Sequence, residues 1–159
     1  MNPRNVRPFV TPTDPARIGY LAAIIDGEGA IMLNTRRNGC SFGIQVVVVN
    51  TDVRLIHWLF HEVGGRIRPK PYKSLKLDRW KLGWEWRLWD AQAVAFLSVI
   101  RPHLVIKGEQ ADVVVSYRNL GMLKSGPRKA HKRTARDESI VAQRVALHQR
   151  LRVLNRKGA

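Results

Sequence analysis

Apolar and polar positions change their spacing several times along the 159 residues of this chain, and each change predicts an element. After Asp14, residues Ile18, Leu21, Ala22 and Ile25 recur on one helical face. Asp14 can cap that helix, Pro15 suits its first turn, and Gly27 and Gly29 end it. Gly19, Ala23, Asp26 and Gly27 form a second face of mostly small side chains, which lets another helix approach closely. The spacing then falls to two. Over residues 30–37, Ile31 and Leu33 alternate with Met32, Asn34 and Arg36, and Asn38-Gly39 is a hairpin signal. Phe42–Asn50 follows as a strand whose Val46 to Val49 run reads as covered on both faces.

Asn50-Thr51-Asp52 offers a cap for a helix over Val53–Val63, with Leu55, Ile56, Leu59, Phe60 and Val63 inward and Gly64-Gly65 as its stop. A second hairpin pairs a short strand carrying Arg66, Arg68 and Lys70, confined to an edge or an end by Pro69 and Pro71, with a strand over residues 82–89. In that second strand Trp84, Trp86 and Leu88 share one face, and Glu85 and Arg87 the other. Helices are expected over residues 91–100 and 104–120, the latter with Ile106, Ala111, Val114, Val115 and Tyr117 inward. This order predicts an α+β fold, one four-stranded antiparallel sheet with helices on one face. The other face would carry Asn34, Arg36, Gln45, Arg66, Arg68, Lys70, Lys81, Glu85 and Arg87. It is either an ordinary solvated face or a set of donors for guanine and adenine edges, and its Arg and Lys bias favours the second.

Charge sharpens the choice. The chain has 28 Lys and Arg against 12 Asp and Glu, a net +16, which is more than solubility asks for and points to a polyanion. Nine of those net charges fall in residues 120–159. There, a basic Gly-Pro-containing stretch over 124–136 reads as a linker, followed by a helix capped by Thr134 or Asp137. That helix either packs on its own domain or contacts phosphate. Cys40 is the single cysteine, so no internal disulfide can form. Residues 1–13 lack the apolar core of a signal peptide, and no run is apolar enough to span a membrane, so an intracellular, non-secreted protein is expected.

The string Leu21-Ala22-Ala23-Ile24-Ile25-Asp26-Gly27-Glu28-Gly29 resembles the LAGLIDADG signature of homing endonucleases in its LAGLIDGEG form. The likeness runs from about Ile18 to Asn119, with later landmarks at Asn50-Thr51-Asp52, Gly64-Gly65, Phe96-Leu97, Pro102, Lys107 and Gln110-Ala111. It implies an αββαββα endonuclease domain over 14–121, with a DNA-binding sheet, additional C-terminal helices in 122–159 and a basic arm over 1–13. One motif per chain implies a homodimer, with Gly19, Ala22, Ala23, Asp26 and Gly27 at its interface and two Glu28 carboxylates near the two-fold axis. By the same resemblance Glu28 and the Gly27 carbonyl hold Mg²⁺ (with Mn²⁺ as substitute), and Lys107 assists at the scissile phosphate. Asp26 is expected to accept a hydrogen bond across the interface helix. The DNA contacts carried over are Asn34, Arg36, Gln45, Arg68 and Lys70, to which the sheet pattern adds Arg66, Lys81 and Arg87; Gly39, Ser41 and Gly43 match but offer little. Two usually polar positions fall on Val48 and Asp52, a departure that touches the water-activating groups, with Arg54 as a possible substitute two residues on. The expected activity is site-specific double-strand cleavage of a long near-palindromic DNA site with 3′ overhangs. The alternative is a non-cleaving binder on the same scaffold, an intron RNA maturase or a DNA-binding regulator.

Overall fold

The computed structural model describes residues 6–36, 41–70, 83–120 and 135–156, and side chains of the last helix from Glu138 onward. The elements in order are β1 (Val6–Arg7), α1 (Pro15–Glu28), β2 (Gly29–Thr35), β3 (Phe42–Asn50), α2 (Val53–Val63), β4 (Gly65–Lys70), β5 (Gly83–Trp89), α3 (Asp90–Ile100), α4 (Gly108–Asn119) and α5 (Ala135–Leu154), with a 3-10 turn at Arg101–His103 before α4. The strands form one antiparallel sheet in the order β1-β4-β5-β3-β2. Helix α1 starts as its sequence predicts: the Asp14 carboxylate accepts from the N–H groups of Ala16 and Arg17, and Pro15 takes the first turn.

The inward face of the sheet and the apolar faces of the helices make a single core. Leu21 and Ile25 of α1 meet Ile31, Ile44, Val46 and Val48 from the sheet, Ile56 and Leu59 from α2, and Phe96, Leu97 and Ile100 from α3. Trp86 lies at the centre, fully buried, edge-on to Phe96 at 5.7 Å, with its indole N–H donating to the Gly64 carbonyl at 2.7 Å. Gly64 and Gly65 have φ of +82° and +89°, and a Cβ on Gly64 would lie 2.0 Å from the Pro8 carbonyl oxygen. Only a residue without a side chain can make this turn while the N-terminal strand passes so close. Tyr117 of α4 straddles the backbone of Phe42, its hydroxyl accepting from the Phe42 N–H at 2.8 Å and donating to the Phe42 carbonyl at 3.0 Å.

Both edges of the sheet are covered. Val6–Arg7 adds a fifth strand to β4 where four were expected, and the Arg7 guanidinium docks on the His61 carbonyl at the end of α2. That strand reaches only Gly65 and Arg66, so Pro69 sits further along β4, where among the described residues no outer N–H is required. At the opposite edge α5 lies against β2. His148 stacks on Phe42 at 4.1 Å, Leu151 enters the core, and the Asn155 amide donates to the Ile31 carbonyl at 2.9 Å. Of the two readings of the C-terminal helix, packing on its own domain is therefore realised. Capping edge carbonyls in this way removes a template for strand-to-strand aggregation.

One expected boundary moves. The helix expected over 104–120 begins at Gly108, and Ile106, expected in the core, is 69% exposed beside Val105 at 90%. The cause is Asp26, whose carboxylate holds the intervening backbone in a turn. Of the two caps offered for the C-terminal helix, its start at Ala135 agrees with Thr134, and Asp137 falls inside the first turn. The expected hairpin turn at Asn38-Gly39 and the basic stretches at 71–82 and 124–134 lie outside the described residues.

Trp86→Phe removes the donor to Gly64 and leaves unfilled volume in the core. We expect it to lower the unfolding free energy by about 2–4 kcal/mol, read from the urea midpoint.

Candidate active site and nucleic-acid interface

The end of α1 is held by an exchange of caps with α4. The Asp26 carboxylate accepts from the Val105 N–H at 2.7 Å and from the Lys107 N–H at 2.8 Å, satisfying donors ahead of α4. In return the Lys107 ammonium donates to the carbonyls of Ile25 at 2.9 Å and Asp26 at 2.5 Å, in the last turn of α1. Burial pushes the Asp26 carboxyl up, but the N–H groups of Val105, Lys107 and Ile106 and the Lys107 charge outweigh it, and its pKa lies below the usual carboxylate value. Burial pulls the Lys107 ammonium below the usual lysine value, although the charges of Asp26 and Glu28 act the other way. The Asp26 carboxylate thus serves its own chain, holding the backbone ahead of α4.

This exchange presents Gly27 and Glu28, both exposed, on the last turn of α1. Gly19 and Gly27 have no atom within 4 Å of where a Cβ would stand, and Ala23 between them is exposed. Of the residues expected at an interface, Ala22 is fully buried in its own core and cannot belong to one. Its side chain points with Leu21 and Ile25 toward the sheet. The Glu28 carboxylate and the adjacent carbonyl are hard oxygen donors that suit Mg²⁺. Among the described residues no three acidic, His or Cys side chains cluster. A divalent ion held here would therefore take further ligands from substrate oxygens or water, as Mg²⁺ ordinarily does.

The two departures behave differently. Val48 is fully buried on the core side of β3, and its neighbour Val47 faces the polar side. Asp52 accepts from the Arg54 N–H at 2.9 Å as the cap of α2, and it also pairs with the Arg54 guanidinium at 2.6 Å. Both groups are occupied by structure.

The polar sheet face has the expected membership but a different economy of charge. Arg66, Arg68 and Lys70 of β4 stand beside Glu85 and Arg87 of β5, with Arg68 directly opposite Glu85 and Arg66 opposite Arg87. Gln45 of β3 and Asn34 of β2 continue the face. Lys81 lies outside the described residues. Glu85, given no role by its sequence, is 3% exposed and pairs with both Arg68 and Arg87. Arg36 Nη2 donates to both carboxylate oxygens of Asp90, at 2.8 and 3.0 Å, and Asp90, held at φ 42°, also accepts from the Ile44 N–H. Three of the expected DNA-contacting arginines are therefore held by acids. Strict alternation could have placed Glu85 beside Arg87, but its pairing with Arg68 depends on hairpin register.

Against known structures the chain superposes on homing endonucleases. One is I-CvuI in complex with its target Sro1.3 in the presence of 2 mM Ca, at TM-score 0.64 and 15% identity, covering 91% of this chain and 84% of that one. Another is I-CvuI with the I-CreI target C1221 in 2 mM Mg, its DNA not cleaved, at TM-score 0.64, 16% identity and coverage of 91% and 85%. The archaeal intron-encoded homing endonuclease I-Vdi141I complexed with DNA matches at TM-score 0.64, 14% identity and coverage of 91% and 87%. No family model and no curated protein matches the chain. The chain thus has the homing-endonuclease fold. It is a single-motif form of that fold, with one LAGLIDADG-like helix ending in Glu28.

The Glu85 carboxyl is pushed up by burial and pulled down further by Arg68 and Arg87, so its folded pKa lies below the usual value. Its contribution to stability is then fully present above the unfolded carboxyl pKa and lost as pH falls through the folded one. We expect urea stability to decline below about pH 4, and Glu85→Gln to make that decline shallower.

Proposed function

We propose that this protein is a homodimeric, divalent-metal-dependent homing endonuclease that cuts both strands of a long near-palindromic DNA site and leaves 3′ overhangs. The observation that carries the reading is Glu28, an exposed carboxylate at the helix end of a strongly basic chain, flanked by an open small-residue face. Apposing that face with a second copy brings two Glu28 carboxylates to one axis, each beside one DNA strand. Exposed Val105 and Ile106, next to Asp26, are apolar surface that such a copy would cover. The DNA-bound state of the neighbouring structures, and their Ca and Mg conditions, support the same partner and a divalent ion.

Each part of the chain has a task in this mechanism. The sheet face binds and orients the duplex, so the scissile phosphates meet the ends of the paired helices. Glu28 and the Gly27 carbonyl would hold Mg²⁺, with Mn²⁺ as a substitute, and the bound ion supplies charge neutralisation at the phosphate and a more acidic water. Lys107 uses two of its three N–H donors on α1, which leaves one for a phosphate oxygen. That contact would offset charge gathering on the phosphate as the bond breaks. Asp26 positions Lys107 through its backbone. A second reading, a non-cleaving DNA regulator or an RNA maturase, is favoured by Val48 and Asp52. Neither is free to orient a water.

Glu28→Gln decides between the two. We expect cleavage in Mg²⁺ to fall by more than about 100-fold while DNA binding stays within about threefold. A variant that cuts at the native rate refutes the metal role, and a native protein that binds but never cuts establishes the second reading. Sedimentation equilibrium should show a dimer at micromolar concentration. Ala23→Arg, an exposed change, should yield a folded monomer that has lost double-strand cutting.

A further inference from the structure

We propose that Glu85 is a specificity-positioning residue, a buried acid that fixes Arg68 and Arg87 as readers of guanine. This inference rests on the DNA-binding reading above and adds to it how the bases are told apart. An acid in the middle of a DNA-facing sheet is otherwise costly, since it repels phosphate and must be desolvated. Glu85 is nevertheless 3% exposed, because two arginines cover it. Arg68 Nε donates to Oε1 at 2.8 Å and Nη2 to Oε2 at 3.2 Å, and Arg87 Nη2 meets Oε1 at 2.7 Å.

The pattern of atoms used is informative. The carboxylate takes the side edge of the Arg68 guanidinium, formed by Nε and Nη2. The end edge, with Nη1 and the outer hydrogen of Nη2, remains for another acceptor. That end fork matches the O6 and N7 acceptors of guanine in the major groove. Arg68 is half exposed, so its end edge is open to a base. Arg87 is less exposed and lies 5.7 Å from the Trp89 ring centroid, so its guanidinium is held by a carboxylate and an aromatic face together. The arginines sit directly across from Glu85 and two residues along from it, on neighbouring rows of the sheet. Sheet geometry therefore sets the spacing between the two guanidinium groups.

Two cations on one anion keep the cluster net positive, so attraction to DNA survives. The acid removes side-chain freedom instead. A guanidinium already fixed loses little entropy when the right base arrives and cannot swing to a backbone phosphate when the wrong one does. The same group that weakens general affinity should therefore raise discrimination.

The test is selection of bound duplexes from a half-site-randomised library, run without divalent metal so that cleavage does not enter. With Glu85→Gln we expect guanine preference at one or two positions per half-site to drop by about tenfold. Affinity for unrelated DNA should stay level or rise, because a negative charge has gone. A residue needed only for folding would lower all binding together and leave the base profile alone. Arg68→Lys, at an exposed site, keeps the charge but loses the fork, and should relax the same positions. If both variants keep the native profile, Glu85 has no role in reading. If the native protein itself selects no sequence, the DNA-reading proposal falls, and this one with it.

Discussion

Asp26 and Lys107 exchange caps between the end of α1 and the start of α4, and the candidate catalytic end depends on that exchange. Taken singly, each residue is badly placed. Acids at the C-terminal end of a helix face its negative pole, and a lysine just ahead of a helix faces the positive one. Crossed over, both placements become favourable: the lysine meets the carbonyls of α1, and the aspartate meets the N–H groups before α4. Glu28 is the remaining acid on the last turn, and Lys107 beside it offsets part of the repulsion it feels.

The sheet solves a related problem. A sheet face this rich in cations packs them across adjacent strands, where they repel one another. Arg66 opposite Arg87, with Arg68 one row away, would be unfavourable alone. Glu85 joins two of these three, and Asp90 takes Arg36 at the end of the face. The acids are few, but they sit where they relieve the worst like-charge contacts. They leave Lys70, Asn34 and Gln45 outside those pairings, so the face combines fixed and adaptable donors.

Most of the fold was legible because its signals were local. Asp14-Pro15, Asp52 and Gly64-Gly65 each act within a turn of chain, and the boundaries of α1, α2 and β3 follow from them. The motif likewise located Glu28, since both its helix and its end are written in nine consecutive residues. What escaped was long-range. The late start of α4 is imposed by Asp26, some eighty positions earlier, and helical spacing alone carried the expected helix back to Leu104. The fifth strand is two residues long, too short for alternation to show. Helical spacing put Ala22 on the apolar face and the resemblance also put it at the interface; packing against the sheet bears out the first. Glu85 was seen on the right face but without a role, because its pairing with Arg68 appears only once β4 and β5 are in register.

The net charge takes on a different meaning once these pairings are known. In sequence, +16 is a single number that attracts any polyanion. In the fold it is divided by what each cation is tied to. Arg17, Arg54, Arg101 and Arg150 pair with acids on the helices and act as braces. Arg68 and Arg87 are tied on the sheet, where being held preserves a direction rather than removing a charge. Arg152 and Arg156 line an open groove of about 450 Å³ between α5 and the end of β2, beside Asn34. Attraction over distance depends on the sum, because at that range the field does not resolve individual groups. Reading at contact depends on the division, which among the described residues is set by the acids that pair with these arginines. In so basic a chain the acids are the informative residues: Asp26 builds the end of the helix, Glu28 occupies it, and Glu85 aims the arginines beside it.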